Sequence, residues 1–138
     1  MTFYRVASLA LAVIFAAVGI LFMTLPDGVI TFFNTISSPF GMPDSPLTGF
    51  NFYLVLAAGY MYVVTVLAFM MYRFPEKIHF PLLLTHAKFA SSVLALALFL
   101  FQTGCLIYIT NFIVDAFIGF LALGFYLKMR RDPNCISS

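Results

Sequence analysis

Residues 79–101 read HFPLLLTHAKFASSVLALALFLF. The run is long enough to cross about 30 Å of hydrocarbon, which takes roughly 20 residues as a helix. Its only side chain with a fixed charge is Lys88, two residues after His86. Three further runs, about Val6–Leu25, Phe50–Tyr72 and Leu106–Leu127, share this length and apolar character. Lipid cannot bond to backbone N–H and C=O groups, so each run is expected to be helical despite its Val, Ile and Phe content. The first run is too long for a signal peptide and no small-x-small cleavage site follows before Pro26, so it is expected to be retained.

Composition points the same way. The chain has 138 residues, 63% hydrophobic and 9% charged. Soluble domains carry roughly a quarter charged residues. The net charge of +2 is too small and too dispersed to suggest nucleic acid as a partner. The length suits one four-helix domain, residues 1–138, with no second soluble unit. Cys105 and Cys135 form no CxxC pattern and fall at opposite membrane sides in the topology below, so no intrachain disulfide is expected. The terminal CISS has the length of a prenylation box, but Ser137 replaces the usual second aliphatic residue, and four spans leave little use for an anchor.

The basic residues set the orientation. Arg5 precedes the first span, Arg73 and Lys77 lie between the second and third, and Lys128, Arg130 and Arg131 follow the fourth. The other two connections carry no Lys or Arg. The positive-inside rule then predicts both termini in the cytoplasm. The expected fold is an all-α integral membrane protein, an antiparallel four-helix bundle, N-in and C-in, and a bacterial inner membrane is the expected location. The connection 26–49 is long. Val29, Phe32, Phe33 and Ile36 recur at helical spacing opposite Thr31, Asn34, Thr35 and Ser38, with Asp27 as N-cap. This predicts a short amphipathic helix in the outer interface, serving as a covering flap rather than a docking surface. Ser37 to Pro46 is expected to be irregular.

Each span carries one stripe of small or polar residues. The first has Ser8, Ala12, Ala16 and Gly19; the second Asn51, Ala58, Tyr62, Thr65 and Tyr72. The third has Thr85, Lys88, Ser91, Ser92, Ala95 and Gln102, and the fourth Tyr108, Asn111, Asp115, Gly119, Ala122 and Tyr126. Small residues let membrane helices approach and polar ones bond across the contact, so the four stripes are expected to converge on one seam. The intramembrane polar candidates are Asp115, Lys88, His86, Asn111, Ser92, Tyr62 and Tyr126. Asp115 reads equally well as a protonatable site or as a structural hydrogen-bonding residue.

Direct pairing of Lys88 with Asp115 is not expected. Counting back from a turn at Gly104 puts Lys88 about 8 Å closer to the cytoplasm than Asp115. Helical side chains lean toward their own N-terminus, so these two lean apart. The reading is that Lys88 extends beside Gly119 and Ala122 toward the cytoplasmic interface, near the Tyr126 hydroxyl. Asp115 then bonds Tyr62, Ser92 or Asn111. His86 points away from that face, beside Ala90 and Ala97, with His79 nearly in line. Two ligands on one side of one helix cannot take opposite axial positions on a haem, so a bis-His haem would need another chain. His86 reads as a helix-contact or interfacial residue. No catalytic residue, metal or cofactor is expected.

The segments FAAVGILF and LPDGVITFFNTISSPFGMP, followed by the second span, resemble the DoxX-like family of small four-span membrane proteins. The resemblance covers roughly the first half of the chain. It departs from the family where polar residues are usual, at Leu21–Phe22 and YLVLAAGYMYVV. It implies a small subunit linked to quinol oxidation or simply a membrane protein, and carries over no catalytic residue. Three functions stay open: a non-catalytic subunit of a larger membrane assembly or homo-oligomer, a proton- or ion-coupled transporter using Asp115 and Lys88, and a redox or quinone-associated subunit.

Overall fold

The structure, a computed structural model, describes residues 2–45, 51–101 and 104–131. Gln102, Cys135 and the CISS terminus lie outside these, as does the side chain of Asn51. The elements run α1 (Thr2–Thr24), α2 (Pro26–Ser37), a 3-10 turn (Ser38–Phe40), α3 (Asn51–Arg73), α4 (His79–Phe101) and α5 (Leu106–Arg131). All regular structure among the described residues is helical. Four of the helices, α1, α3, α4 and α5, are long and apolar enough to cross a membrane.

α1 packs along α3, α4 along α5, and the two pairs meet chiefly through α3 and α4. Small residues set how closely they approach. A Cβ on Gly19 would come within 3.1 Å of Met61 Cβ, so α1 and α3 touch nearly backbone to side-chain root. The Phe89 ring lies on Gly119 so closely that a Cβ there would sit 2.8 Å from it. The apolar core joins Ala12 and Phe15 of α1, Val64, Ala68 and Met71 of α3, Leu84 of α4, and Ile118 and Ala122 of α5. Bulky side chains such as Val13, Val55, Val93, Leu94, Phe117 and Phe120 point outward and are exposed. Small residues at the close helix contacts and many large apolar side chains on the outside is the arrangement expected where the surrounding solvent is itself hydrocarbon.

The start of α1 meets the far part of α5, where Tyr4 packs edge-on against Phe125 at 5.0 Å. The α3–α4 connection closes at the same end through Lys77 N–H donating to Phe74 O at 3.1 Å. Arg5, Arg73, Lys77, Lys128, Arg130 and Arg131 therefore gather at one end of the molecule.

α2 departs from its expected form in two respects. Leu25, not Asp27, takes the N-cap position, without a side-chain cap bond. Pro26 fills the first helical position, where its missing N–H is no loss. Asp27 stands in the first turn, where a carboxylate still complements the helix dipole. The packed stripe is also different: Ile30 and Ser37 are buried and Phe33 and Asn34 half-buried, while Phe32 and Ile36 face outward. The apolar residues are divided between two surroundings, the neighbouring helices α1 and α5 on one side and the exterior on the other. The polar residues on the packed side are satisfied locally. Asn34 donates from Nδ2 to Ser45 O and accepts from Ser45 N–H at Oδ1, both at 2.9 Å, and Ser37 Oγ donates to Asn34 O. Gly41, at φ +64°, supplies the left-handed turn that sends the chain back toward α2.

Candidate functional site: a buried ion pair among four helices

Lys88 and Asp115 are brought together. Lys88 Nζ donates to Asp115 Oδ1 at 2.8 Å, and the two residues are 2% and 3% exposed. This overturns the expectation that their side chains lean apart. The error lay in counting from the loop. Ser91 and Asn111 approach each other across α4 and α5, with Asn111 Nδ2 at 3.4 Å from Ser91 Oγ. One turn back along α4 and one turn forward along α5 leads from that contact to Lys88 and Asp115. Contacts within the helices, not the midpoint of their connection, set which residues are level, and the long lysine stem covers the remaining offset.

The cradle is built by residues from all four long helices. The Lys88 ammonium lies 4.4 Å from the centre of the Phe15 ring on α1 and 5.2 Å from that of Tyr60 on α3. Ring faces attract a desolvated cation, so they answer N–H groups that Asp115 does not take. Tyr60 is held in place because its hydroxyl donates to Ala87 O at 3.0 Å. Asp115 Oδ2 is buried and has no hydrogen-bond partner among the described residues. The carboxylate is thus engaged from one side only. Around the pair, Ser92 Oγ donates to Phe112 O at 3.0 Å, a further link between α4 and α5. Thr85 and Ser8 are also buried, and each donates its hydroxyl to a carbonyl one turn back on its own helix, at Pro81 and Tyr4.

Other expected partners stand elsewhere. Asp115 does not bond Tyr62, Ser92 or Asn111. Tyr62 is 71% exposed on the outer side of α3, where the packed face is instead Tyr60, Val64, Ala68 and Met71. The stripe on this helix was chosen by polarity, and with no charge on that stripe, packing of apolar bulk decided the rotation. Thr65, from the same stripe, is satisfied within α3 by donating to Met61 O. Tyr126 is half-buried on α5, and the Lys88 ammonium is turned to Asp115 rather than to it. Asn111 is exposed. His86 is exposed on α4, with Nδ1 2.9 Å from its own Leu82 O.

Phe15 and Tyr60 were not among the sequence candidates. Phe15 lies three residues after Ala12 and four before Gly19, so it shares the small-residue face of α1; that spacing was the available signal. Tyr60 gave none beyond being an aromatic residue in a span. No protein-family model, no curated protein and no solved structure matches this chain.

Proposed function

We propose that the chain is a small non-catalytic subunit of a larger membrane assembly: an antiparallel four-helix bundle with both termini in the cytoplasm, its basic end inward. The observation that carries this reading is the closed Lys88–Asp115 pair. The two intramembrane charges neutralise each other at 2.8 Å under two aromatic rings, and together they tie four helices into one register. A pair of this kind fixes an arrangement. Polar groups on the outer surface, among them Tyr62 and His86, support contact with further protein, because hydrocarbon offers them no partner.

The test removes the charges singly and together. Lys88→Met or Asp115→Leu alone buries an unpaired charge and costs on the order of 3 kcal/mol. Each single variant is expected to drop out of the native-gel band of the mildly solubilised assembly. The double variant Lys88→Met/Asp115→Leu is expected to return to it. A double variant that stays out while the Asp115→Asn single variant assembles normally would overturn the structural role.

One observation favours a second reading. The unpartnered Asp115 Oδ2 is the atom a transported proton would occupy. In vesicles loaded with a pH-sensitive dye, proton entry that depends on the protein and is abolished by Asp115→Asn selects the carrier; entry equal to that of empty vesicles selects the subunit.

A further inference from the structure

Two polar side chains face outward from the apolar middle of the molecule. Tyr62, at the centre of α3, is 71% exposed and carries a hydroxyl donor. His86 is exposed on α4, and its Nδ1 faces its own Leu82 carbonyl at 2.9 Å. A carbonyl only accepts, so Nδ1 carries the proton and, in the neutral ring, Nε2 is left as an acceptor. Among the described residues one group has no acceptor and the other no donor, and acyl chains supply neither.

The two groups lie at similar depth. The bond from Tyr60 Oη to Ala87 O ties α3 and α4 together at that level. Tyr62 is two residues and His86 one residue from it, both toward the basic end, so the two side chains stand within one helical turn, about 5 Å, of each other along the helix axes. They nevertheless face different sectors. Tyr60 points at α4, and Tyr62 is about 200° further round α3, facing away from α4. Phe89 packs on Gly119 of α5, and His86, one turn before it, lies on the α5 side of the outer face of α4.

We propose that copies of this chain associate head to tail in the membrane, Tyr62 Oη of one copy donating to His86 Nε2 of the next. Rotation about an axis along the membrane normal keeps every atom at its own depth. A donor and an acceptor at similar depth but on different sectors are what such a rotation brings together, and a head-to-tail contact about that axis forms a ring when the rotation divides the full turn. Ala90, one turn from His86 on the exposed side of α4, leaves room for the neighbouring helix. The proposal rests on the reading of the chain as part of a membrane assembly and names its neighbour as the chain itself.

The test uses the purified full chain in vesicles. Self-association is read by energy transfer between labelled copies as the protein is diluted in lipid. Tyr62→Phe and His86→Leu are each expected to weaken it about three- to tenfold, in line with one hydrogen bond between membrane helices. The double variant is expected to be no weaker than either single one, since both remove the same bond. A second measurement joins Tyr62→Cys and His86→Cys in a background with Cys105→Ala and Cys135→Ser. A short bismaleimide should give a ladder of dimers, trimers and larger species with the double-cysteine chain and none with either single one. A single-cysteine chain that cross-links as well as the double one, additive effects of the two substitutions, or a chain that stays monomeric would each overturn the ring. If the purified chain is monomeric but the native assembly still contains it beside other proteins, the ring fails and the subunit reading stands; if both are monomeric, both fail.

Discussion

At the scale of single residues, space around the ion pair is set by rings, and this makes conservative changes costly. The Lys88 ammonium is a compact charge between Phe15 and Tyr60. A guanidinium is planar and wider. Lys88→Arg keeps the charge yet has to displace one ring, so its thermal midpoint in detergent is expected to fall by several degrees, while that of the apolar double variant stays near wild type. Gly119 poses the same problem in simpler form. A methyl group there meets the Phe89 ring at 2.8 Å, and that ring is itself braced edge-on by Phe120 at 5.1 Å. Gly119→Ala is expected to destabilise by about 1–3 kcal/mol through overpacking. Phe89→Leu in the same chain should recover part of the loss; a Gly119→Ala variant as stable as wild type would overturn the close α4–α5 contact at this position. Lys88 was visible in the sequence on the stripe of the third span, and Asp115 and Gly119 on that of the fourth. The contact of Lys88 with Asp115 was not, because it depends on register, and register follows from side-chain packing across the pair rather than from loop length.

At the scale of elements, long helices were legible and their rotations only partly so. The expected third span, His79–Phe101, has the limits of α4, and α4 turns its expected face inward because Lys88 leaves it little choice. α3 bears no comparable charge within its span, so Val64, Ala68 and Met71 took the inside and Tyr62 the outside. In α2 the pattern of apolar residues was read as one face when it serves two. What anchors α2 to the following loop is Asn34, whose amide group pairs with the backbone of Ser45 as a neighbouring strand would. Asn34→Leu keeps the size and loses both bonds. The amide of Ser45 should then exchange with deuterium at least tenfold faster, with the amides of α4 unchanged. Equal exchange in both proteins would mean that the loop is held by something other than Asn34.

At the scale of the whole molecule, charge position is the property on which the proposed orientation rests, because a bilayer acts on it directly and no packing detail intervenes. Six basic residues from three separate places in the chain gather at one end, joined there by the Tyr4–Phe125 contact and the tight α3–α4 connection. The opposite end holds α2, the loop with Asp44, and Cys105, none of them basic. Translocating the basic end would carry all six basic residues through the bilayer; translocating the other end carries no basic residue of α2, of its following loop or beside Cys105. The proposed orientation, with Arg73 and Lys77 in the cytoplasm, follows from that difference. Glu76 and Asp44 are both exposed and sit at opposite ends, which makes them suitable reporters. In a chain lacking Cys105 and Cys135, Asp44→Cys is expected to react with an impermeant maleimide added outside intact cells. Glu76→Cys should react only after the cells are opened. Moving the basic residues reverses the argument as well: replacing Arg73 and Lys77 with Gln while adding two lysines beside Asp44 weakens the bias at one end and creates a competing one at the other. A mixed population should result, with both cysteines partly labelled from outside. Labelling of Glu76→Cys alone from outside, in the unaltered charge background, would invert the molecule in the membrane while leaving its helix contacts untouched.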